Sequence, residues 1–126
     1  MPATWIPQII DAKTANYTVT VADMGKILTN RGAAGSVTFT LPDATAVLSG
    51  HFVEVFVCAA QNVIVATNTT DTMLVDGDAT ADSIAWQTGS HQIGNGARFI
   101  CDGTGWMVQL NAAATTTTIA AQTIVT

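Results

Sequence analysis

The chain has 126 residues, of which 48% are hydrophobic and only 10% are charged, and its formal net charge is −5. This length predicts one domain with a core large enough to fold without disulfides. The acidic balance, with four Lys and Arg in total, excludes the basic clusters that bind nucleic acid, and no apolar run reaches the about 18 residues of a membrane helix.

The first 15 residues, MPATWIPQIIDAKTA, form an apolar arm. Two prolines exclude a regular helix or a central strand there. The arm lacks the basic start of a signal peptide, so we expect synthesis in a cytoplasm. An apolar arm needs a partner, and two partners are open: a neighbouring subunit, or the sheet of its own domain. Its apolar residues are Trp5, Ile6, Ile9 and Ile10.

Residues 17–43 predict three strands and two turns. Val, Phe, Leu and Tyr alternate with Thr or Ser in the first and third strands, which is the period-2 pattern of a strand with one buried face. Gly25, Gly32 and Gly35 supply the turns. The predicted strands are residues 17–21, 26–29 and 36–41.

The middle of the chain predicts its strongest strand pair at residues 51–58 and 62–67, joined by a short link. Val53, Val55 and Val57 share one face of the first of these strands, whereas Phe52 and Phe56 lie on the other. Apolar side chains on both faces indicate a strand packed on both sides, in a sandwich or at a subunit contact. Shorter strands are predicted at residues 72–75, 83–86 and 90–93.

The last pair of core strands is predicted at residues 97–102 and 106–110, around a glycine-containing hairpin turn. A low-complexity linker follows at residues 112–118, and residues 118–126 can form one more strand that pairs at home or with the sheet of a neighbour. The fold class is therefore all-β: a small antiparallel β-sandwich or barrel-like domain at residues 16–111, with extended N- and C-terminal arms at 1–15 and 112–126.

The strand ends and turns between residues 17 and 110 follow a recognisable order. It comprises Tyr17 at a strand start, Asp23-x-Gly25-Lys26, Asn30-x-Gly32-Ala33 before a Thr-rich strand, Leu41-Pro42, Gly50-His51-Phe52, Gln61-Asn62 and Asp102-Gly103-Thr104-Gly105-Trp106. This order resembles a β-domain of bacteriophage virion proteins, which include head decoration (cement) proteins and tail or fibre proteins. The resemblance implies a structural module without catalytic content and, for a decoration protein, a trimer.

Groups that could carry chemistry are few and scattered. Cys58 and Cys101 lie in strand patterns and are expected as buried free thiols, with a disulfide as the alternative. His51 and His91 stand alone, and Glu54 is the only glutamate, so the paired carboxylates of a glycan hydrolase are not evident. We therefore expect no enzyme, and no cofactor.

An acidic stretch and the tryptophans leave two binding alternatives. The stretch TDTMLVDGDATAD does not have EF-hand spacing and predicts a solvated turn, with calcium binding as the alternative; its acids are Asp71, Asp76, Asp78 and Asp82. Among the three tryptophans, Trp106 is expected in the core. Trp86 is the best candidate for an exposed aromatic that could contact a glycan.

A charged content of 10%, against about 25% in ordinary globular proteins, predicts a neutral exterior suited to packing against other protein. The alternative is a monomer covered by hydroxyl groups. We expect a capsid decoration (cement) protein of a bacteriophage virion. It would bind the major capsid protein as a homotrimer, without nucleic acid or membrane, and stabilise the shell. A tail, fibre or receptor-binding domain that contacts host glycan is the alternative. The expected interface residues are Trp5, Ile6, Ile9, Ile10, Phe52, Phe56, Ile119 and Ile124.

Overall fold

The structure is a computed structural model that describes residues 8–88, 92–110 and 122–125, and these residues are nearly all β. Two single-turn 3-10 helices, Val21–Asp23 and Ala44–Ala46, are the helical elements of the described parts. The strands in chain order are β1 (Ile10–Ala12), β2 (Tyr17–Thr18), β3 (Ile27–Thr29), β4 (Val37–Thr40), β5 (Phe52–Phe56), β6 (Val63–Ala66), β7 (Met73–Val75), β8 (Asp78–Ala81), β9 (Ser83–Trp86), β10 (Gly96–Cys101), β11 (Trp106–Leu110) and β12 (Gln122–Val125).

The strands form two mixed sheets that pack face to face, which confirms the prediction of an all-β sandwich. The sheets are not purely antiparallel as predicted, because strands such as β3 and β5 pair in parallel. The seven-stranded sheet has the order β1-β3-β5-β10-β11-β7-β8, and the five-stranded sheet has the order β12-β9-β6-β4-β2. The single turn predicted between residues 44 and 49 is the 3-10 helix Ala44–Ala46. A strand at residues 90–93 is not formed at Gln92 and Ile93, and β8 was not predicted.

The first six strands alternate between the two sheets and form a parallel coil. In the seven-stranded sheet β1, β3 and β5 are parallel neighbours, with Leu28 opposite Val55. In the five-stranded sheet β2, β4 and β6 are parallel neighbours, with Phe39 opposite Val65. Each connection is therefore an arch from one sheet to the other, whereas a hairpin would join neighbours in one sheet.

This coil corrects one sequence-based prediction. The strands predicted at residues 51–58 and 62–67 exist as β5 and β6, but they lie in different sheets and do not pair. Val53 and Val55 of β5 and Val63 and Val65 of β6 all belong to the same buried core. The two valine faces thus meet across the sandwich, and an arch brings them there where a hairpin would put them side by side in one sheet.

The second half of the chain closes the coil by antiparallel pairing. β10 joins β5 to β11, and β9 joins β6 to β12. The β7–β8 hairpin turns at Asp76 and Gly77, whose φ angles are 45° and 87°. These left-handed values are typical of an Asp-Gly hairpin turn, so the acidic stretch contains the predicted turn at this point.

The core contains both described tryptophans. Trp106 is 0% exposed, which confirms the prediction for this residue. Trp86 is also 0% exposed, so the prediction of an exposed aromatic is wrong for it. The reason lies in the period of two along β9: Trp86 shares its face with the fully buried Ile84, and this face is turned to the opposite sheet.

Both chain ends contribute edge strands. Ile10 of β1 lies opposite Ile27 of β3, so the second half of the N-terminal arm extends the seven-stranded sheet of its own domain. At the other end, the backbone of β12 pairs with β9, where Ile124 lies opposite Ile84. Trp5, Ile6 and Ile119 lie outside the described residues. Of the two alternatives left open by the sequence, pairing with the sheets of the same domain is the one found for the described part of each arm.

Candidate interaction surface

The outer faces of the two sheets differ in chemistry. On β4, β6 and β9 the buried residues alternate with half-buried ones that form the outer face of the five-stranded sheet. Cross-strand register groups these outward residues in two rows, Thr38-Ile64-Ala85 and Thr40-Ala66-Ser83. Three of these six side chains carry a hydroxyl group, three are apolar and none is charged, in line with a neutral exterior.

The outer face of the seven-stranded sheet carries large apolar side chains. One cross-strand row runs over β5, β10, β11 and β7 and contains Phe52, Ile100, Met107 and Leu74. Met107 is 39% exposed and Leu74 is 45% exposed. We call this surface the apolar face and define it by that row together with Ile10, Ile27 and Phe56. Grouped exposed apolar residues of this kind are a common feature of protein contact sites.

One ion pair lies at the centre of the apolar face. Arg98 on β10 is directly opposite Glu54 on β5, and its Nη2 and Nε donate to Glu54 Oε1 at 2.7 and 3.1 Å. The Arg98 guanidinium also lies 4.4 Å from the centre of the Phe52 ring. The two charges cancel, so the middle of the face is neutral although the chain carries −5.

A concavity of about 320 Å³ opens at the β1 edge of the same sheet. Ile10 and Ile27 form part of its lining, and the exposed Arg31 is its one charged residue. We call this concavity the basic groove; its lining is Ile10, Ile27, Thr29, Arg31, Phe56 and Cys58. An apolar floor with one cation fits an apolar side chain that has an acidic neighbour.

Several of the predicted interface residues lie together on the outer face of the seven-stranded sheet. Phe52, Phe56 and Ile10 all lie on the apolar face, and Ile9, which precedes β1, is 63% exposed. Four residues of this face were not predicted from the sequence. The available signal was that β10 and β11 carry apolar residues on both of their faces. The missed residues are Ile27, Leu74, Ile100 and Met107.

Asp23 has a strongly lowered pKa, and its role is structural. Asp23 is buried, and its carboxylate accepts from the Tyr17 hydroxyl at 2.6 Å, from the Thr20 N–H at 2.9 Å and from Lys26 Nζ at 3.0 Å. Burial raises the pKa of the Asp23 carboxyl, but these hydrogen bonds outweigh burial and lower the pKa from 3.8 to about 2. The bond to Asp23 in turn raises the pKa of Tyr17. These contacts tie β2 to the start of β3.

The remaining candidate groups occupy separate places. Within the described ranges, no group of three or more His, Cys, Asp and Glu side chains is arranged to hold a metal ion. Buried Asp71 accepts from the Ala44 N–H at 2.8 Å, while Asp76 is in the β7–β8 turn. His51 borders a small concavity of about 220 Å³, and His91 lies outside the described residues.

The two thiols are both free. Cys101 is fully buried, as predicted, and its Sγ donates to the Ala44 carbonyl oxygen at 3.2 Å. Cys58 is only half-buried, because it follows the end of β5 and lines the basic groove.

A scan against protein-family models and a search of curated proteins found no match for this chain. In the parts that the structure describes, no helix has the length and apolar character to cross a membrane.

Proposed function

We propose that this chain is a structural subunit of a bacteriophage virion, a head decoration protein that binds the capsid surface through protein–protein contact. The observation that carries the proposal is the apolar face, because its exposed Leu74, Met107 and Phe56 have no covering element within the described part of the chain. The virion setting comes from the similarity of residues 17–110 to virion β-domains. The partners are copies of the chain itself, as a trimer, and the major capsid protein.

The mechanism is adhesion. Burial of apolar surface contributes about 25 cal/mol per Å², and a specific protein contact needs about 800 Å² on each partner. A subunit that binds only the intact shell stabilises the shell by mass action. The outer face of the five-stranded sheet carries Thr38, Thr40 and Ser83 and no large exposed apolar side chain in its two outward rows, which suits contact with water on the particle exterior.

The test uses virus particles whose genome encodes the chain, prepared once with the gene for the chain intact and once with that gene deleted. Purified protein is added to the shells that lack it, and the shells are sedimented. We expect saturable co-sedimentation, extra density on the head in electron micrographs and a higher temperature of shell disruption. Binding to tails alone would support the tail or fibre alternative, and no binding to any part of the particle would overturn the proposal.

A further inference from the structure

A second surface, at the opposite edge of the seven-stranded sheet, complements the basic groove. Leu74 of β7 is 45% exposed, and Asp76, two residues later, is exposed in the β7–β8 turn. Ala79 and Thr80 of the edge strand β8 are also exposed. We call these four residues the acidic ridge; three of them, Leu74, Asp76 and Ala79, border an open concavity of about 370 Å³ at this edge. The ridge presents an apolar side chain beside a carboxylate, while the basic groove presents apolar walls beside a guanidinium.

Charge divides the sheet into two ends. Lys13, Lys26 and Arg31 flank β1 and β3, and Lys13 and Lys26 are already engaged by Asp11 and Asp23 at 3.0 to 3.7 Å. Arg31 forms no ion pair with any residue in the described ranges. Opposite signs at the two ends attract copies of the same chain, although each copy is acidic as a whole.

The two surfaces cannot meet within one molecule. β1 and β8 are the two edges of a seven-stranded sheet. The groove also includes Phe56 of β5, and Leu74 of the ridge lies on β7, so at least three strand spacings, or about 14 Å at about 4.8 Å per spacing, separate the two surfaces. Contact between the basic groove and the acidic ridge requires a second copy.

We propose that the acidic ridge of one copy docks in the basic groove of the next, with Leu74 against the apolar lining and Asp76 beside Arg31. This inference rests on the proposed function, because it names the contact by which a structural subunit associates with itself. The contact joins two different surfaces, so it is heterologous, and repeated around an axis it closes a ring. The central Glu54–Arg98 pair stays within each subunit.

The test is a charge swap measured by sedimentation velocity on the purified full chain. The single variants Arg31→Glu and Asp76→Lys place like charges together, and we expect each to weaken self-association about tenfold or more. The double variant Arg31→Glu/Asp76→Lys restores opposite charges, and we expect its association to return to within about threefold of the unmodified chain. Leu74→Ser should also weaken association.

Matched controls separate this contact from general effects of charge and folding. Asp82 is exposed between β8 and β9, outside the ridge, and Asp82→Lys is expected to leave association unchanged. Asp76 has a φ of 45°, so the melting temperature of each variant is measured and Asp76→Asn, which tolerates this conformation, serves as a second variant. A chain that begins at residue 8 tests whether the N-terminal segment fills the groove instead.

The inference would be overturned if the unmodified chain is monomeric at micromolar concentration, or if the charge-swapped double variant associates no more strongly than the single variants. It would also be overturned if removal of residues 1–7 abolishes association while the single variants associate as the unmodified chain does. Shell binding is measured separately. Shell binding by a chain that does not self-associate overturns this inference alone. Self-association restored by the charge swap, without shell binding, supports this contact and overturns the proposed function.

Discussion

Asn30 and Ala59 are joined in both directions: Nδ2 of Asn30 donates to the Ala59 carbonyl oxygen at 3.1 Å, and Oδ1 accepts from the Ala59 N–H at 2.9 Å. Oδ1 also accepts from the Cys58 N–H at 2.7 Å. Asn30 is 0% exposed and follows β3, whereas Ala59 follows β5. One buried amide therefore fixes the start of the arch that carries the chain from β5 to β6.

Replacing Asn30 with Ala is expected to lower the free energy of unfolding by about 2–4 kcal/mol, because three backbone groups lose their partner in a partly buried place. Urea unfolding measures the change. The control is Asn16→Ala, since Asn16 is exposed and accepts one hydrogen bond, from the Thr38 N–H at 2.9 Å, and should cost about 1 kcal/mol or less. If the free energy of unfolding falls equally in the two variants, burial of the Asn30 amide adds nothing to the strength of its hydrogen bonds.

The Asp23 carboxyl makes the fold sensitive to acid. Its pKa is lower in the folded chain, at about 2, than its ordinary 3.8, so its contribution is complete above about pH 5 and is lost as the pH falls through the folded value. The contribution is about 2 kcal/mol. We expect the free energy of unfolding of the unmodified chain to fall between pH 5 and 2, and that of Asp23→Asn to fall less steeply.

Tyr17→Phe removes one of the hydrogen bonds to Asp23 and should give an intermediate slope. The same series of urea titrations at different pH values measures all three proteins. The exposed Asp43 and Asp102 also have lowered pKa values: the Thr45 N–H and hydroxyl donate to Asp43, and the Gly105 and Thr104 N–H groups donate to Asp102. We therefore expect the free energy of unfolding of the variants to retain a small dependence on pH of the same sign. A slope for Asp23→Asn as steep as that of the unmodified chain would contradict the assignment.

Gly96 is required by the close approach of β10 to β5. A Cβ atom at this position would overlap the carbonyl oxygen of Val55, which is backbone and cannot turn away. We therefore expect Gly96→Ala to lower the free energy of unfolding by about 2–3 kcal/mol, which a lower melting temperature would report. Gly35→Ala is the control, since nothing lies within 4 Å of its Cβ position and its backbone is not left-handed, and it should be nearly neutral.

The two cysteines are expected to react at different rates with a thiol reagent. Cys58 is half-buried in the basic groove and should react in the folded chain, whereas Cys101 is fully buried and should react only on unfolding. Counting modified thiols by mass spectrometry, with and without urea, checks this. Cys58→Ser should abolish the fast reaction; rapid labelling of Cys101 in that variant would contradict its burial.

Most of the strands were predictable from the sequence, although β8 was not, and the pairing of β5 and β6 was predicted wrongly. Alternation in residues 37–40, 52–56 and 63–66 gives the same period of two whether the next strand is a neighbour in the sheet or lies across the core. The choice between hairpin and arch depends on contacts such as the one between Asn30 and Ala59, 29 residues apart, which leave no local pattern.

The apolar face was predicted in part for the same reason. Phe52 and Phe56 were recognised because they share a strand with buried valines. Leu74 and Met107 join them only through the register of β7 with β11, which is a parallel pair of distant segments. The burial of Trp86 could have been predicted from the sequence, because Ile84 lies two residues earlier and therefore on the same face of β9.

The alternation of the first six strands between the sheets also sets the order in which the chain can be completed during synthesis. β5 and β6 obtain their second neighbours from β10 and β9, which end at residues 101 and 86. A nascent chain of about 80 residues therefore still has the second edges of β5 and β6 open, and open strand edges are templates for aggregation. Ribosomes add about 5–20 residues per second, so these edges stay open for seconds at most before the last third of the chain covers them.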